Sequence, residues 1–279
     1  MRYRDLNLIT KDCYNMSLSV VLFTHSEYSH IWSLIFEQIN KLYRPYMNIY
    51  VFVNTGADIS FFNSLNLTVL FYNPTDTFPR KVLSCLRHVP SEYVLYLQDI
   101  YLPMRYSHNT MSAVLNYMKA NDIHKVEAHL HGYFQILNVN PMNNPNPSTQ
   151  ITQKFSISRV ANFFPYGVGP TIWNKEVLID ILDKFQHKSY REIESAYPGN
   201  AWQYVNEKYN IFTPTPYKHC LVQVADDTWM NLEFAFIHII GGGRFNKSNI
   251  KDYYFADELS DLFTKHNIDL EWTNHGNRT

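Results

Sequence analysis

LSVVLFTHSEYSHIWSLIFEQINKLYRPYMNIYVFVN, residues 18–54, decides the fold. It opens on LSVVLFT (18–24), a short apolar run rich in β-branched side chains. Such a run lacks the alternation of a strand with one wet face and reads as a strand buried on both faces of a parallel sheet. A polar segment, HSEYSH, follows. In IWSLIFEQINKLY, apolar residues recur at Ile31, Leu34, Ile35, Ile39 and Leu42, the spacing of one helix face. MNIYVFVN then gives a second buried strand ending at Asn54. Strand, helix and strand in this order form a parallel βαβ unit.

The pattern continues outward. TGAD (55–58) is a turn, LTVLFY (67–72) a third strand, and FPRKVLSCLRHV (78–89) a helix with Pro79 in its first turn. SEYVLYLQD (91–99) is a fourth strand that ends on a carboxylate. The expected fold class is α/β: a Rossmann-like, mainly parallel central sheet flanked by helices, with a smaller antiparallel portion. Crossovers in such sheets are right-handed, and ligands bind beyond the carboxyl ends of the strands. The places of interest are therefore Thr24 to Tyr28, Asn54 to Asp58, Asn73 to Asp76 and Gln98 to Tyr101. Beyond them, residues 107–120 read as a helix, and KVEAHLHGYFQILNV (125–139) as a bent strand or hairpin. PMNNPNPSTQ (141–150) reads as a surface loop and the one candidate seam in the chain. ITQKFSISR reads as a strand, GPTIWNKEVLIDILDKF as Trp173 followed by a helix, NAWQYVNEKYN as a helix, HCLVQV as a strand, and the tail from Lys251 as a helix.

Composition excludes several classes. Hydrophobic residues make up 46% of the 279 and charged residues 18%, which fits a folded chain with a large core. The formal net charge is −1, from 24 basic and 25 acidic residues, so there is no basic field for nucleic acid. The three cysteines, Cys13, Cys85 and Cys220, are unpaired in spacing and suggest neither a disulfide scaffold nor a zinc site. No stretch approaches the ~20 apolar residues of a membrane span, and the N-terminus lacks the apolar run of a signal peptide. The expectation is a soluble, cytoplasmic protein. The 21 Tyr, 18 Phe and 5 Trp serve either the core or a cleft that stacks flat groups.

Asp99 is the foremost candidate for chemistry: a carboxylate closing the strand YVLYLQ is costly to bury without a partner and would face the crevice. A diphosphate there is commonly neutralised by a divalent cation on oxygen ligands. Glu192 and Glu194 in YREIE are candidates for a general base. They share a face if the segment is extended and diverge if it is helical. HIIGGGRFNKS (238–248) combines glycines that permit a close backbone approach with Arg244 and Lys247, both able to engage phosphate. It is not a P-loop. Arg80 and Lys81 face either the diphosphate or solvent. Asp226 and Asp227 read as a turn. His129 and His131, without a nearby acidic third ligand, favour an acceptor-site or core pair over a metal pair.

With these residues in place, the chain resembles the GT-A-fold, nucleotide-sugar-dependent glycosyltransferases. YVLYLQDIYL resembles that family's strand and acidic motif, VGPTIWNKEVLIDIL its acceptor-side segment, and YREIE the short acidic motif that follows; the match spans about residues 18–245. The resemblance implies one GT-A-like domain over 1–279, with a nucleotide-sugar-binding half at about 17–140, an acceptor half at about 150–250, and a C-terminal helix and tail at 251–279. It implies transfer of a sugar from a nucleotide donor, UDP-linked being the commonest in the family, to a hydroxyl of a glycan or glycoprotein, here expected with inversion. Thr24, His25 and Tyr28 would cradle the nucleobase and ribose together with Asn54 and Asp58, while Gln98 and Asp99 would lie beside the ribose and metal. Arg80, Lys81, Arg244 and Lys247 would serve the diphosphate. Asp99 and His238 would bind manganese or magnesium, and Glu194, or else Glu192, would be catalytic. The chain departs from the family's D-x-D or D-D pattern: Gln98-Asp99-Ile100-Tyr101 holds a single carboxylate. That departure keeps open a degenerate, non-catalytic sugar-binding module. A sugar-phosphate nucleotidyltransferase is the further alternative, but THSEYSH lacks the glycine and basic signature such enzymes carry after the first strand.

Overall fold

A computed structural model describes residues 17–128, 148–152, 155–159, 169–194, 201–215, 221–225, 228–231, 233–241, 243–247 and 255–272. In chain order the elements are β1 (Leu18–Phe23), α1 (Trp32–Leu42), β2 (Asn48–Asn54), β3 (Thr68–Tyr72), α2 (Phe78–Leu86), β4 (Tyr93–Gln98), β5 (Tyr101–Tyr106), α3 (His108–Ala120) and β6 (Lys125–Glu127). Then follow β7 (Ser148–Thr152), β8 (Phe155–Arg159), β9 (Thr171–Asn174), α4 (Lys175–Lys184), α5 (Tyr190–Glu194), α6 (Ala201–Lys208) and β10 (Ile211–Thr215). The last are β11 (Leu221–Ala225), β12 (Thr228–Asn231), β13 (Phe234–His238), β14 (Ile240–Gly241), β15 (Arg244–Phe245) and α7 (Ala256–Lys265).

The main sheet has nine strands in the order β3-β2-β1-β4-β9-β6-β10-β8-β7. β3, β2, β1 and β4 are mutually parallel. β9 runs antiparallel to both β4 and β6. Two reversals cancel, so β6, and β10 parallel to it, point the same way as β4. A second, antiparallel sheet of β11-β12-β13-β5 and the small pair β14-β15 complete the fold. The Rossmann-like class with a smaller antiparallel portion is what the sequence reading expects.

β1 is apolar at every position but Ser19 because its alternate residues enter different layers. Val20 and Leu22 pack with α1, α3 and α7 on one face. Val21 packs with α2, α4 and α6 on the other. Helix starts are fixed locally. The Ser107 hydroxyl accepts from Thr110 N–H at 3.3 Å to cap α3, and Asn174 Oδ1 accepts from Glu176 N–H at 3.1 Å to cap α4. Gly56, in the turn after β2, sits at φ 81°, which suits a residue without Cβ.

Several expectations are corrected. The helix from Phe78 stops at Leu86, short of Val89. Residues 148–150, read as loop, belong to β7, and ITQKFSISR is divided between the paired strands β7 and β8. YLPMRY and IFTPT, unread as strands, form β5 and β10. YREIE is helical, not extended. The pair His129 and His131, the doublet Asp226 and Asp227, Cys13, Cys220 and the loop over 141–147 lie outside the described residues.

Candidate functional site at the strand exits

The order β2-β1-β4 places a topological switch point between β1 and β4: the chain leaves β1 toward β2 on one side and returns to β4 on the other. Sheets of this kind open a crevice there, outside the carboxyl ends. The register Phe23↔Gln98 brings the exits of β1 and β4 level, so Thr24 and Asp99 lie side by side as the next residues. Thr24 Oγ1 donates to Asp99 Oδ2 at 2.8 Å, and the backbone N–H of His25 reaches the same oxygen at 3.4 Å. Asp99 is 4% exposed and Thr24 0%. A carboxylate in such surroundings needs donors of this sort to remain there.

Thr24 is itself held from two further directions. Its hydroxyl accepts from Trp32 Nε1–H at 2.8 Å, and its carbonyl accepts from the Tyr72 hydroxyl at 2.8 Å. Trp32 begins α1 and Tyr72 ends β3, so three elements converge on the residue that orients Asp99. Asn54, at the end of β2, ties in the first exit loop: its Oδ1 accepts from Ser26 N–H at 2.8 Å and its Nδ2 donates to Ser26 Oγ at 3.0 Å. His25 Nδ1 accepts from Glu27 N–H at 3.2 Å, which fixes the imidazole at the head of the 3₁₀ turn over Ser26–Ile31. Thr24, His25, Asn54 and Asp99 are thus one constellation. Gln98, buried at 4%, lies beneath it on β4.

The glycine segment also reaches this corner. His238 pairs in register with Tyr101, its ring stacked on the Tyr101 ring at 4.9 Å. Ile239 N–H donates to Ile100 C=O at 2.9 Å, so the β14-β15 hairpin begins one residue from Asp99 along β4's continuation. Arg244 in that hairpin is exposed. Lys247 pairs with Glu271. Lys81 is half-buried, its ammonium 6.0 Å from the centre of the Tyr72 ring. Burial lowers its pKa, and Asp76 opposes that shift. Rings link this side of the crevice to α5: Phe23 to Phe78 at 5.4 Å and Phe78 to Tyr190 at 5.1 Å.

Other predicted residues are placed elsewhere. Tyr28 is 2% exposed and packs edge-on to Trp272, inside the core. Asp58 is exposed, and its Oδ1 accepts from Ser60 N–H at 2.9 Å, holding its pKa low. Arg80 is on the exposed side of α2. Glu192 forms a capping box: its Oε2 accepts from Ser189 N–H and Oγ, both at 2.7 Å, while its own N–H donates to Ser189 Oγ at 3.4 Å. Glu194 is the last residue of α5. Among the described residues, no group of three His, Cys, Asp or Glu side chains stands ready for a metal ion, and no helix is long and apolar enough to cross a membrane.

Sequence reading missed Trp32 and Tyr72. It also missed an ion pair inside the sheet: Lys125 Nζ donates to Glu127 Oε1 at 3.0 Å, with the lysine side chain 0% and the glutamate side chain 11% exposed. Opposite charges two apart on a strand share a face, a signal that was available.

No protein-family model and no curated protein matches the sequence. Among solved structures, S. aureus TarS 1-349 aligns with 77% of this chain and 60% of its own length, at 13% identity and a TM-score of 0.44. The same protein in complex with UDP-GlcNAc aligns with 90% of this chain and 71% of its own, at 12% identity and a TM-score of 0.44. UDP-glucose pyrophosphorylase complexed with UDP-glucose aligns with 89% of this chain and 99% of its own, at 6% identity and a TM-score of 0.46. The chain thus spans less than two thirds of the first of these structures.

Proposed function

We propose that the chain is a glycosyltransferase that takes a sugar from a UDP-linked donor and transfers it, with inversion, to a hydroxyl of a glycan or glycoprotein. One observation carries this reading: a buried carboxylate, Asp99, fixed by Thr24 across the switch point of a Rossmann-like sheet, where such sheets receive nucleotides. The His25 and Asn54 loops would border the nucleobase and ribose, and Lys81 and Arg244 would face the diphosphate. Magnesium sites use one or two carboxylates with substrate phosphates completing the shell, so a lone Asp99 with His238 nearby fits a manganese or magnesium ion. Such an ion would neutralise charge on the departing diphosphate. Glu194, on the helix joined to the crevice through Tyr190, Phe78 and Phe23, is the general base: its carboxylate takes the acceptor hydroxyl proton as that oxygen bonds to the anomeric carbon. The bond from that carbon to the phosphate oxygen breaks, and UDP leaves.

A free-UDP release assay with a panel of UDP-sugars, with and without manganese, tests this reading. Asp99→Ala is expected to lose about 100-fold or more in turnover, the scale of removing one pre-placed electrostatic group. Glu194→Gln is expected to lower transfer more than donor affinity. Undiminished turnover in Asp99→Ala removes that residue from the mechanism. A wild-type protein that binds donors without releasing UDP supports the second reading, a non-catalytic sugar-nucleotide module, whose motive is the single carboxylate in Gln98-Asp99-Ile100-Tyr101.

A further inference from the structure

The pair Lys125–Glu127 is the largest feature of the sheet left without a role by the mechanism above. β6 points the same way as β4, so its last residue, Glu127, lies at the crevice end of the sheet. The register Tyr96↔Thr171↔Glu127 puts it two strands from β4, about 10 Å across the sheet. On this flank the regular strands end lower, because β4 continues through Gln98 to Asp99 while β6 ends at Glu127. Lys125 lies one step further inside, its ammonium 5.2 Å from the centre of the Trp173 ring. Of the two charges the carboxylate is therefore the one nearer the opening. Taking both out of water costs solvation that an apolar pair of the same volume would not.

We propose that Glu127 is a specificity-determining residue that accepts hydrogen bonds from hydroxyls of the donor's sugar ring, with Lys125 as a positioning residue that holds it in place. This rests on the sugar-nucleotide reading. With the diphosphate at Asp99, the sugar extends from β4 over β9 toward β6, and a carboxylate there reads hydroxyl positions rather than the nucleotide. A site built to accept from a particular hydroxyl rejects a sugar lacking it far more strongly than an apolar site does.

The test is calorimetric titration of UDP, UDP-glucose, UDP-galactose and UDP-N-acetylglucosamine into the wild type, Glu127→Gln and the apolar double variant Lys125→Met/Glu127→Leu, with thermal melts alongside. The double variant keeps a packed interior if Glu127→Gln fails to fold. The expected result is UDP affinity within about twofold of wild type in the folded variants, and affinity for the preferred UDP-sugar reduced about tenfold or more, so that the sugars are no longer distinguished. Unchanged sugar discrimination in either folded variant overturns the proposal while leaving the glycosyltransferase reading intact. Equal losses for UDP and UDP-sugar also overturn it, showing a structural role. A wild type that binds none of the four overturns both.

Discussion

Thr24 has more consequences than any other residue of the crevice, because its side chain and carbonyl serve three elements. Thr24→Val keeps the shape and removes the hydroxyl, leaving the Trp32 indole N–H and the Asp99 carboxylate each without a partner that it has in the native protein. The expected cost is about 1–3 kcal/mol of stability, together with weaker UDP-sugar binding, whereas Thr24→Ser restores both; denaturant titration and calorimetry measure the two effects. Asp99 was legible in the sequence because a carboxylate closing an apolar strand has few other reasons to be there. Its support was not. The hydroxyl of Tyr72 and the carbonyl of Thr24 are 48 residues apart, and no local pattern announces that bond. Glu192 shows the reverse: Ser189 and Glu192 have capping-box spacing, which the motif reading of YREIE passed over in favour of chemistry.

At the scale of elements, the first four strands and their helices were readable because each is a buried run set off by polar exits. β5 was not, since Pro103 argues against a strand. In the structure Pro103 sits where the pairing with β13 shifts register between Ala235 and Phe236, so the missing N–H falls at an irregularity. Pro214 hid β10 in the same way. The C-terminal helix α7 is joined to α1 by Glu37, whose Oε2 accepts from Lys265 Nζ at 2.6 Å and contacts His266 Nε2 at 3.0 Å. The Lys265 hydrogen bond, more than any other influence, holds the Glu37 pKa below its ordinary 4.5. A carboxyl lowered in the native state contributes stability that is complete above its unfolded value and is lost as pH falls through the native one. Glu37→Gln is therefore expected to melt a few degrees below wild type at pH 6. The difference, about 1 kcal/mol or less for a pair this exposed, should shrink as pH falls below 4.5 toward the native value. A gap that stays constant as pH falls would assign the effect to packing.

For the molecule as a whole, chain direction decides which residues meet. Parallel strands collect their exits at one edge, and two reversals through β9 bring β6 back to that edge, so Thr24, Asp99 and Glu127 come from three strands yet belong to one end of the sheet. The C-terminal segment crosses the same region: Trp272 lies 4.1 Å, centre to centre, from the His30 ring and 5.6 Å from Tyr28, bracing the first exit loop from outside. The sequence implied the sheet's edge and its polar exits but not this brace, which depends on aromatic contacts between the two ends of the chain. A crystal structure of the protein soaked with UDP and manganese chloride tests the central claim most directly. The account predicts the diphosphate between the ends of β1 and β4, against Asp99 and beside the His25 loop; UDP bound elsewhere, or Asp99 untouched by it, contradicts the account.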